Sequence, residues 1–372
     1  MGKDSTVERE DRRVKRGRNK YIFAPERGRR DTRRGFRNGV LIFIPLLLLL
    51  FFTANFLISN RVILEKRPIT VLNLPADLEN YSILHISDLH GAELGERQKA
   101  IETALGTTRY SCVVMTGDML GENHDVQPLL DLIALMPAET PKYYIPGDTD
   151  GNWIDSFAHG SLSVYTDWAL TLQQAGVTLL DRPISETRGK GTIWFVPEDL
   201  YTLNLDGMEK VYRSSLEELS LRATSMTADE AAYRRVLEYE LERIAVLREV
   251  RETVQAEDMQ VVLTHTPLSE EYIHESFNLS GKEDFFSMRY AGLILAGHYN
   301  GGQWRLPTGG AVYVPEMGWF PADEEIMGLS FPAGIPQYIS PGLGSDPHYT
   351  YQPGRLFNSP TLTLITLTRK AT

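Results

Sequence analysis

Five short apolar runs along the chain each end abruptly in Asp or His, and most of these ends include glycine. With their polar ends, the runs span residues 83–91, 111–118, 143–150, 261–265 and 292–302. Short apolar runs bounded by turn residues predict buried strands. If the five strands formed one sheet, their polar ends would converge, because ligand sites in open α/β sheets lie beyond the carboxyl ends of the strands. Charged groups gathered at an apolar edge need a counter-ion, and a metal ion supplies one.

The first run ends in Asp88 and His90, which are separated by one residue. In extended backbone, residues i and i+2 point to the same side, so both side chains can reach one ion. Alone, this pair is a weak signal, because a strand-end Asp beside an unrelated exposed His is the commoner case. The four further runs therefore carry the prediction of a metal site.

The segments between these runs alternate between strand and helix patterns, which predicts a mixed, layered α/β fold. Helices are predicted at 96–105, 126–135 and 168–175, and further strands at 68–74, 177–180, 192–196 and 361–367.

Residues 206–258 form a helical insertion in this pattern. Thr227 and Glu230 have the spacing of a capping box, and a helical stripe of apolar residues among charges follows them. The stripe predicts an amphipathic helix that covers the sheet. The alternative is a lid or a partner-binding surface.

The N-terminal region combines a basic tail with a long apolar run. Residues 1–38 hold 14 Lys and Arg against 6 Asp and Glu, and they lack periodicity. This pattern predicts a disordered tail. The apolar run 40–58 has 19 residues, interrupted only by Pro45, Thr53 and Asn55, and predicts a membrane-spanning helix within 39–59. A signal peptide is the alternative, which the long basic region and the lack of a small-x-small cleavage site disfavour.

The charge distribution predicts an orientation and a single-pass anchor in the cell membrane. Positive charge is concentrated before the apolar run, so the N-terminus should be cytoplasmic and the domain formed by residues 60–372 extracytoplasmic. The chain carries a net charge of −11 in spite of its basic tail, which argues against a nucleic-acid-binding domain. Cys112 is the one cysteine, so the chain can form no internal disulfide.

The motifs at the strand ends have a recognisable order. They are Asp-x-His at 88–90, Gly-Asp at 117–118, Gly-Asp-x-Asp at 147–150, His at 265 and Gly-His-x-Asn at 297–300. This order resembles the calcineurin-like metallophosphoesterases, and the strings at 298–307, 338–344 and 355–358 resemble the membrane-anchored branch of that family. The resemblance covers residues 68–368. It implies a layered sandwich of two mixed β-sheets flanked by helices.

The resemblance also implies a dinuclear metal site with one bridging carboxylate. Mixed His and carboxylate ligands suit Mn, Fe or Zn better than Ca or Mg. The first ion would take Asp88, His90, Asp118 and Asn300, and the second would take Asp118, Asp148, His265 and His298.

Two positions depart from the family pattern. The family has Asn-His where this chain has Asp148 and Thr149, and it has a second His where this chain has Asn300. Thr149 cannot protonate a leaving group, and loss of a general acid typically costs about 10²–10⁴ in rate. An amide oxygen at Asn300 binds borderline-soft metals less well than imidazole does, so the first ion is either held more weakly or is a harder one.

Replacement acids are available nearby in the sequence. His124, in the loop after the bridging Asp118, is one catalytic candidate, and its alternative is an exposed loop histidine without a role. Tyr299 is another candidate. Asp150 matches the acidic residue that orients the family's catalytic His, and its role is open because Thr149 stands in place of that His.

The resulting expectation is a membrane-anchored, metal-dependent phosphoesterase. Its substrate would be a phosphomonoester, a phosphodiester or a pyrophosphate outside the cytoplasm, including a lipid-linked one. The alternative is a degenerate relative that binds a phosphorylated ligand or metal without useful turnover. A third interpretation, an anchor whose basic tail binds nucleic acid, rests only on residues 1–38, and no nucleic-acid partner is expected.

Overall fold

The computed structural model describes residues 27–155, 163–221, 226–279, 284–348 and 354–369. Most of the basic tail, residues 1–26, lies outside the described residues. A long helix, α1 (Arg27–Ser59), follows. Its segment Arg37–Ser59 has 23 residues and a mean hydropathy of 2.6, and none of its most apolar window is buried. This helix is long and apolar enough to span a membrane.

The elements after α1 alternate along most of the chain. The strands are β1 (Ile63–Val71), β2 (Ser82–Ile86), β3 (Cys112–Thr116), β4 (Lys142–Ile145), β5 (Thr178–Leu179), β6 (Ile184–Arg188), β7 (Gly191–Pro197), β8 (Met259–Leu263), β9 (Ala291–Ala296), β10 (Tyr313–Val314), β11 (Gly318–Trp319), β12 (Gly328–Ser330), β13 (Gln337–Ile339) and β14 (Thr361–Arg369). The helices are α2 (Lys99–Leu105), α3 (Gln127–Ala134), α4 (Asp167–Gln174), α5 (Leu205–Ser220), α6 (Ala228–Thr253), α7 (Glu270–Leu279) and α8 (Asp323–Ile326).

The strands form two mixed six-stranded sheets and a small two-stranded one. The first sheet has the order β1-β14-β2-β3-β4-β5, and the second has the order β12-β13-β9-β8-β7-β6. Strands β2 to β5 are parallel, and so are β7 to β9 with β13. The predicted sandwich of two mixed sheets is confirmed. The five apolar runs do not share one sheet: β2, β3 and β4 lie in the first, and β8 and β9 lie in the second.

Side-chain alternation along the strands produces three apolar layers. Ile83 of β2 packs in the core between the sheets with Phe195 of β7, whereas Leu84 packs under α2, α3 and α4. In the second sheet, Val261 joins the core between the sheets, and Val262 joins a third core under α6 and α7. Residues i and i+1 of a strand face opposite sides, so each sheet buries both faces. The architecture is therefore helix, sheet, sheet, helix.

Two predicted segments differ in extent from the observed elements. The edge strand β1 begins at Ile63 rather than at residue 68, because its parallel pairing with β14 starts at Ile63 opposite Thr361. The insertion contains two packed helices, α5 and α6, and the capping box of Thr227 and Glu230 at the start of α6 is confirmed.

Candidate metal centre

The loops after β2, β3 and β9 place polar residues at one edge of the sandwich by adopting left-handed backbone. The φ angles are 52° at Asp88, 47° at His90, 55° at Asp118, 82° at His298 and 50° at Asn300. Such angles are uncommon outside glycine, and they concentrate at functional sites that the surrounding structure holds in place. Each strand therefore ends in a sharp turn that points its polar side chain into the site.

An ion pair between the two sheets lies at the middle of the site. His265 Nε2 is 3.2 Å from Asp118 Oδ2, and His265 Nδ1 donates to the carbonyl oxygen of Thr116 at 2.8 Å. Burial alone would lower the pKa of His265, but its hydrogen bond with Asp118 and the charges of Asp88 and Asp118 raise it to about 10. Burial acts to raise the pKa of Asp118, but the hydrogen bond with His265, the charges of His265 and His90 and the backbone N–H of Thr149 together lower it. The carboxylates thus favour positive charge at Nε2, where an ion can replace the proton.

Two groups of possible ligands share His265. Asp88, Asp118 and His265 form one group, and Asp148, His265 and His298 form the other; in each, one ligand atom per residue lies within 4.8 Å of the others. In the second group, His298 Nδ1 is 3.2 Å from Asp148 Oδ2 and 3.3 Å from His265 Nε2. The arrangement can hold two neighbouring cations.

His90 and Asn300 complete the first group from the side. His90 Nε2 lies 3.8 Å from Asp118 Oδ2 and 3.3 Å from Asn300 Nδ2. Asp118 therefore faces His90 on one side and His265 on the other, which is the geometry expected of a bridging carboxylate. All seven predicted ligands lie at this edge of the sandwich.

Two buried oxygen atoms support the presence of a cation. Asp88 is buried, and burial raises its pKa. Its Oδ1 accepts the backbone N–H of His298 at 2.9 Å, while its Oδ2 has no hydrogen-bond partner among the described residues. In the same part of the chain, Oδ1 of the buried Asn300 has no partner either. Because buried polar atoms are nearly always paired, both oxygens fit a metal ion as the missing partner.

Two glycines lie so close to the predicted ligands that no larger residue fits at their positions. A Cβ atom on Gly147 would lie 2.3 Å from Asp118 Oδ1, and one on Gly117 would lie 2.7 Å from His265 Nδ1. No side chain fits at these two positions. The glycines beside the aspartates in the Gly-Asp motifs therefore let the loops after β3 and β4 meet.

Comparison with known proteins identifies the family. The sequence profile of the calcineurin-like phosphoesterases matches residues 81–300, which is more than half of the chain. The chain belongs to this family. A search of the curated proteins finds no match.

A solved structure that resembles this calcineurin-like phosphoesterase is that of the phosphopantetheinyl hydrolase from Mycobacterium tuberculosis. The two are 15% identical, and the alignment covers 78% of this chain and 96% of the other, with a TM-score of 0.36. A similarity at this level carries no argument about substrate.

Asp150 does not face the reacting centre of this calcineurin-like phosphoesterase. It is buried, its Oδ1 accepts the backbone N–H groups of Met119 and Leu120 at 2.8 Å each, and its Oδ2 accepts that of Gly147 at 2.9 Å. These bonds tie the loop after β3 to the loop after β4. Asp150 is therefore positioned to hold these loops, and its catalytic role suggested by the sequence stays a prediction.

Thr149 lies directly against the predicted bridging residue. Its backbone N–H donates to Asp118 Oδ1 at 2.8 Å, and its buried hydroxyl finds no hydrogen-bond partner within the described part of the chain. The missing family histidine therefore leaves a small polar side chain close to the metal ligands. Asp148, next to it, is exposed, and its side chain retains 65% of its accessible surface.

His124, in the loop after Asp118, lies beside the third motif. Its ring stacks on Trp168, with centroids 6.4 Å apart and planes 14° apart. Its Nε2 is so close to the backbone of Gly151 that a Cβ there would lie 2.8 Å away. His124 is exposed. Burial raises the pKa of the other candidate, Tyr299, which makes it a weaker acid.

Two residues with a role at the centre were missed from the sequence. Arg355 donates to the carbonyl oxygen of Asn300 at 3.1 Å and also binds the carbonyls of Pro341 and Gly344. Asn358 Nδ2 donates to the same Asn300 oxygen at 2.8 Å. Both residues belong to the string at 355–358, which was noted only for its resemblance to the family. They fix the strained loop that carries a predicted ligand.

Glu316 was also missed. Its Oε1 lies 3.9 Å from His298 Nε2, on the turn between β10 and β11. No sequence pattern placed this turn near the site, because its strands have only two residues each and pair with one another.

Proposed function

We propose that this chain is a membrane-anchored phosphoesterase that hydrolyses a phosphoester or pyrophosphate bond outside the cytoplasm by means of two divalent metal ions. The observation that carries the proposal is the convergence of two ligand groups on His265, with Asp118 between His265 and His90. The buried oxygens of Asp88 and Asn300 without partners support it. The mixed imidazole and carboxylate set favours Mn, Fe or Zn.

The protein would hold the first ion with Asp88, His90, Asp118 and Asn300, and the second with Asp118, Asp148, His265 and His298. A pair of bound divalent ions supplies neutralisation of phosphate charge and a lowered pKa for an attacking water. Phosphoryl transfer depends mainly on such positioning and charge stabilisation.

The chain's own groups around the phosphate are fixed before any substrate binds. The bonds of Asp150 lock the loops that carry Asp118 and Asp148, and the bond from Thr149 N–H orients Asp118 Oδ1. His124, packed on Trp168 beside Gly151, is the side chain to test as a replacement proton donor for the leaving group. Preorganised polar groups cost no rearrangement during the reaction.

Membrane anchoring rests on α1 and on the charge around it. Arg37–Ser59 is the part of the helix suited to the bilayer, and 14 Lys and Arg lie within residues 1–38. Positive charge stays on the cytoplasmic side of a single span. The domain that begins after α1 would then face the opposite side, where phosphorylated lipids and soluble phosphoesters are both accessible.

A second candidate function is phosphate or metal binding without turnover. The observation that favours it is Thr149, which carries no dissociable proton at the position where the family has its general acid. The two candidates differ in the fate of a bound phosphoester: an enzyme hydrolyses it, whereas a binding protein retains it intact.

The test uses the full chain purified in detergent and loaded with Mn²⁺. Metal analysis should find two ions per chain, and release of phenol from an activated aryl phosphate should depend on them. Fewer than one ion per chain would overturn the metal assignment. Two ions with tight phosphate binding and no hydrolysis of any ester would establish the second candidate instead.

A further inference from the structure

A cleft of about 810 Å³ opens directly beside the metal centre. Asp148 and His265 form part of its wall at the centre, and side chains of α5 and α6 form part of the opposite wall. Its volume lies in the range of small-molecule sites, about 300–1,000 Å³. A phosphate held by the metal ligands would therefore place the rest of its ester in this cleft.

Aromatic side chains converge on the cleft from the insertion and from the main body. Tyr212 of α5 and Tyr233 of α6 line it from the insertion, and Trp153 and Tyr272 line it from the main body. Tyr233 retains 43% of its surface exposed, so its ring is open to a ligand. The faces of Tyr and Trp rings attract cations, with quaternary ammonium ligands as the strongest use of this effect.

The cleft also carries more negative than positive charge. Apart from the metal ligands, four carboxylates line it: Asp181, Glu198, Asp199 and Glu240. Arg243 is the one Arg or Lys among the described residues that line it.

The arginine side chains at and beside the cleft already form ion pairs with three of these carboxylates. Arg243 lies 3.3 Å from Glu240 and 3.5 Å from Asp199, and Arg182 pairs with Asp181 at 3.0 Å. Among the described residues, one of the four carboxylates has no ion-pair partner.

That carboxylate is Glu198. The described residues give it no basic partner; it accepts a short hydrogen bond from the hydroxyl of Tyr272. Burial raises the pKa of Glu198, as expected for a carboxylate that loses water without gaining full compensation. A ligand cation beside Glu198 would supply that compensation.

We infer that the organic part of the substrate is an alcohol that bears an amine or a quaternary ammonium group, held between the tyrosines and Glu198. This inference rests on the proposed function and specifies its substrate class. The charge of Glu198 would also disfavour an anionic group at that place in the cleft. Cleavage transfers the phosphoryl group to water and releases the ammonium alcohol with a proton on its oxygen.

The experiment compares phosphocholine with its uncharged isostere, 3,3-dimethylbutyl phosphate, on the full chain loaded with Mn²⁺. The readout is the ratio of the two kcat/KM values in the wild type, in Glu198→Gln and in Asp206→Asn. Asp206 is a matched control, because it also loses one negative charge but lies outside the cleft with 92% of its side chain exposed. The intrinsic difference between the two leaving groups is the same for all three proteins and cancels in the comparison.

We expect the wild type to prefer phosphocholine. Glu198→Gln should lower the ratio about fivefold, the size of one partly exposed charge contact, and Asp206→Asn should leave it unchanged. An unchanged ratio in Glu198→Gln, or a wild-type preference for the isostere, would overturn the inference.

Direct binding separates this inference from the proposed function. Calorimetry with choline alone should show binding to the full chain that weakens in Glu198→Gln and persists in Asp206→Asn. If no phosphoester is hydrolysed but choline binds in this way, the proposed enzyme activity is wrong and the cleft assignment stands. If an activated aryl phosphate is hydrolysed but choline does not bind, the cleft assignment is wrong and the enzyme stands.

Discussion

Replacing Thr149 with His should restore the missing general acid and change which esters the enzyme can cleave. Without an imidazole at this position, the proton for a poor leaving group must come from elsewhere. An alkoxide needs that proton, whereas an activated phenolate or a phosphate in an anhydride does not. We therefore expect the wild-type rate to rise steeply as the pKa of the leaving group falls, and Thr149→His to flatten this dependence.

The structure limits the gain in rate that Thr149→His can give. A general acid contributes about 10²–10⁴ in rate. Asp150, which would orient the new imidazole, already uses both carboxylate oxygens on the backbone N–H groups of Met119, Leu120 and Gly147. An imidazole at 149 would lack that partner, so the gain for an alkyl phosphate should lie near the lower end, about 10²-fold.

The assay measures kcat/KM for a series of aryl and alkyl phosphates with the full chain in detergent. Thr149→Gln is the matched control, since it adds a polar side chain without a dissociable proton. Equal gains from His and Gln would refute the reasoning. The reasoning would also be refuted if the wild-type rate did not depend on leaving-group pKa and His124→Ala did not change this. If the rate is independent of leaving-group pKa in the wild type but depends on it steeply in His124→Ala, His124 supplies the proton.

Four further predictions test other parts of the molecule. Asp118→Asn should remove most bound metal and all hydrolysis, because one carboxylate serves both ions; two retained ions with full activity would disprove this. Arg355→Met should weaken the first ion about tenfold by freeing the loop of Asn300, measured by metal titration, with Arg355→Lys partly restoring affinity. Burial lowers the pKa of His85 from 6.5 to about 3. Between these pH values only the unfolded chain binds a proton at His85, so the free energy of unfolding falls as the pH falls from 6.5 towards 3. Urea unfolding should show a loss of about 2 kcal/mol between pH 7 and pH 5, and this loss should be absent in His85→Gln. Protease added outside cells should digest the domain and spare the basic tail, and protection of the domain would refute the proposed topology.

Local sequence pattern was sufficient for the parts of the site that follow strands directly. Asp88 and His265 each come after a short apolar run, and the carboxyl ends of buried strands are where such residues collect. The pattern could not show that these two residues come from different sheets. Strand pairing is decided by contacts distant in sequence, and the sandwich brings the ends of β2 and β8 together across the core between the sheets.

Residues that act through the backbone were not predictable in the same way. Asp150 sits in a motif whose pattern suggests chemistry, yet its oxygens bind three backbone N–H groups that only the folded loops bring together. Arg355 acts on the carbonyl of Asn300 from 55 residues away. The cleft is a third case, because its walls combine the insertion with four separate loops, and no single segment carries its charge.

The two departures from the family pattern act at opposite sides of the centre. Asp148, in place of the family's Asn, adds a negative charge at the exposed side, where its hydrogen bond with His298 lowers its pKa and keeps it ionised. Asn300, in place of His, removes an imidazole at the buried side, where none of the described residues bonds to its amide oxygen. The second ligand set therefore holds two carboxylates and two imidazoles, whereas the first holds two carboxylates, one imidazole and an amide.

Since carboxylate and imidazole bind these metals more tightly than an amide oxygen does, we expect the ions to load in two separate steps, with the site of His265 and His298 filling first. Stepwise titration of the metal-free chain with Mn²⁺ measures this order, and Asn300→Asp should bring the two affinities together by giving the first ion a third carboxylate.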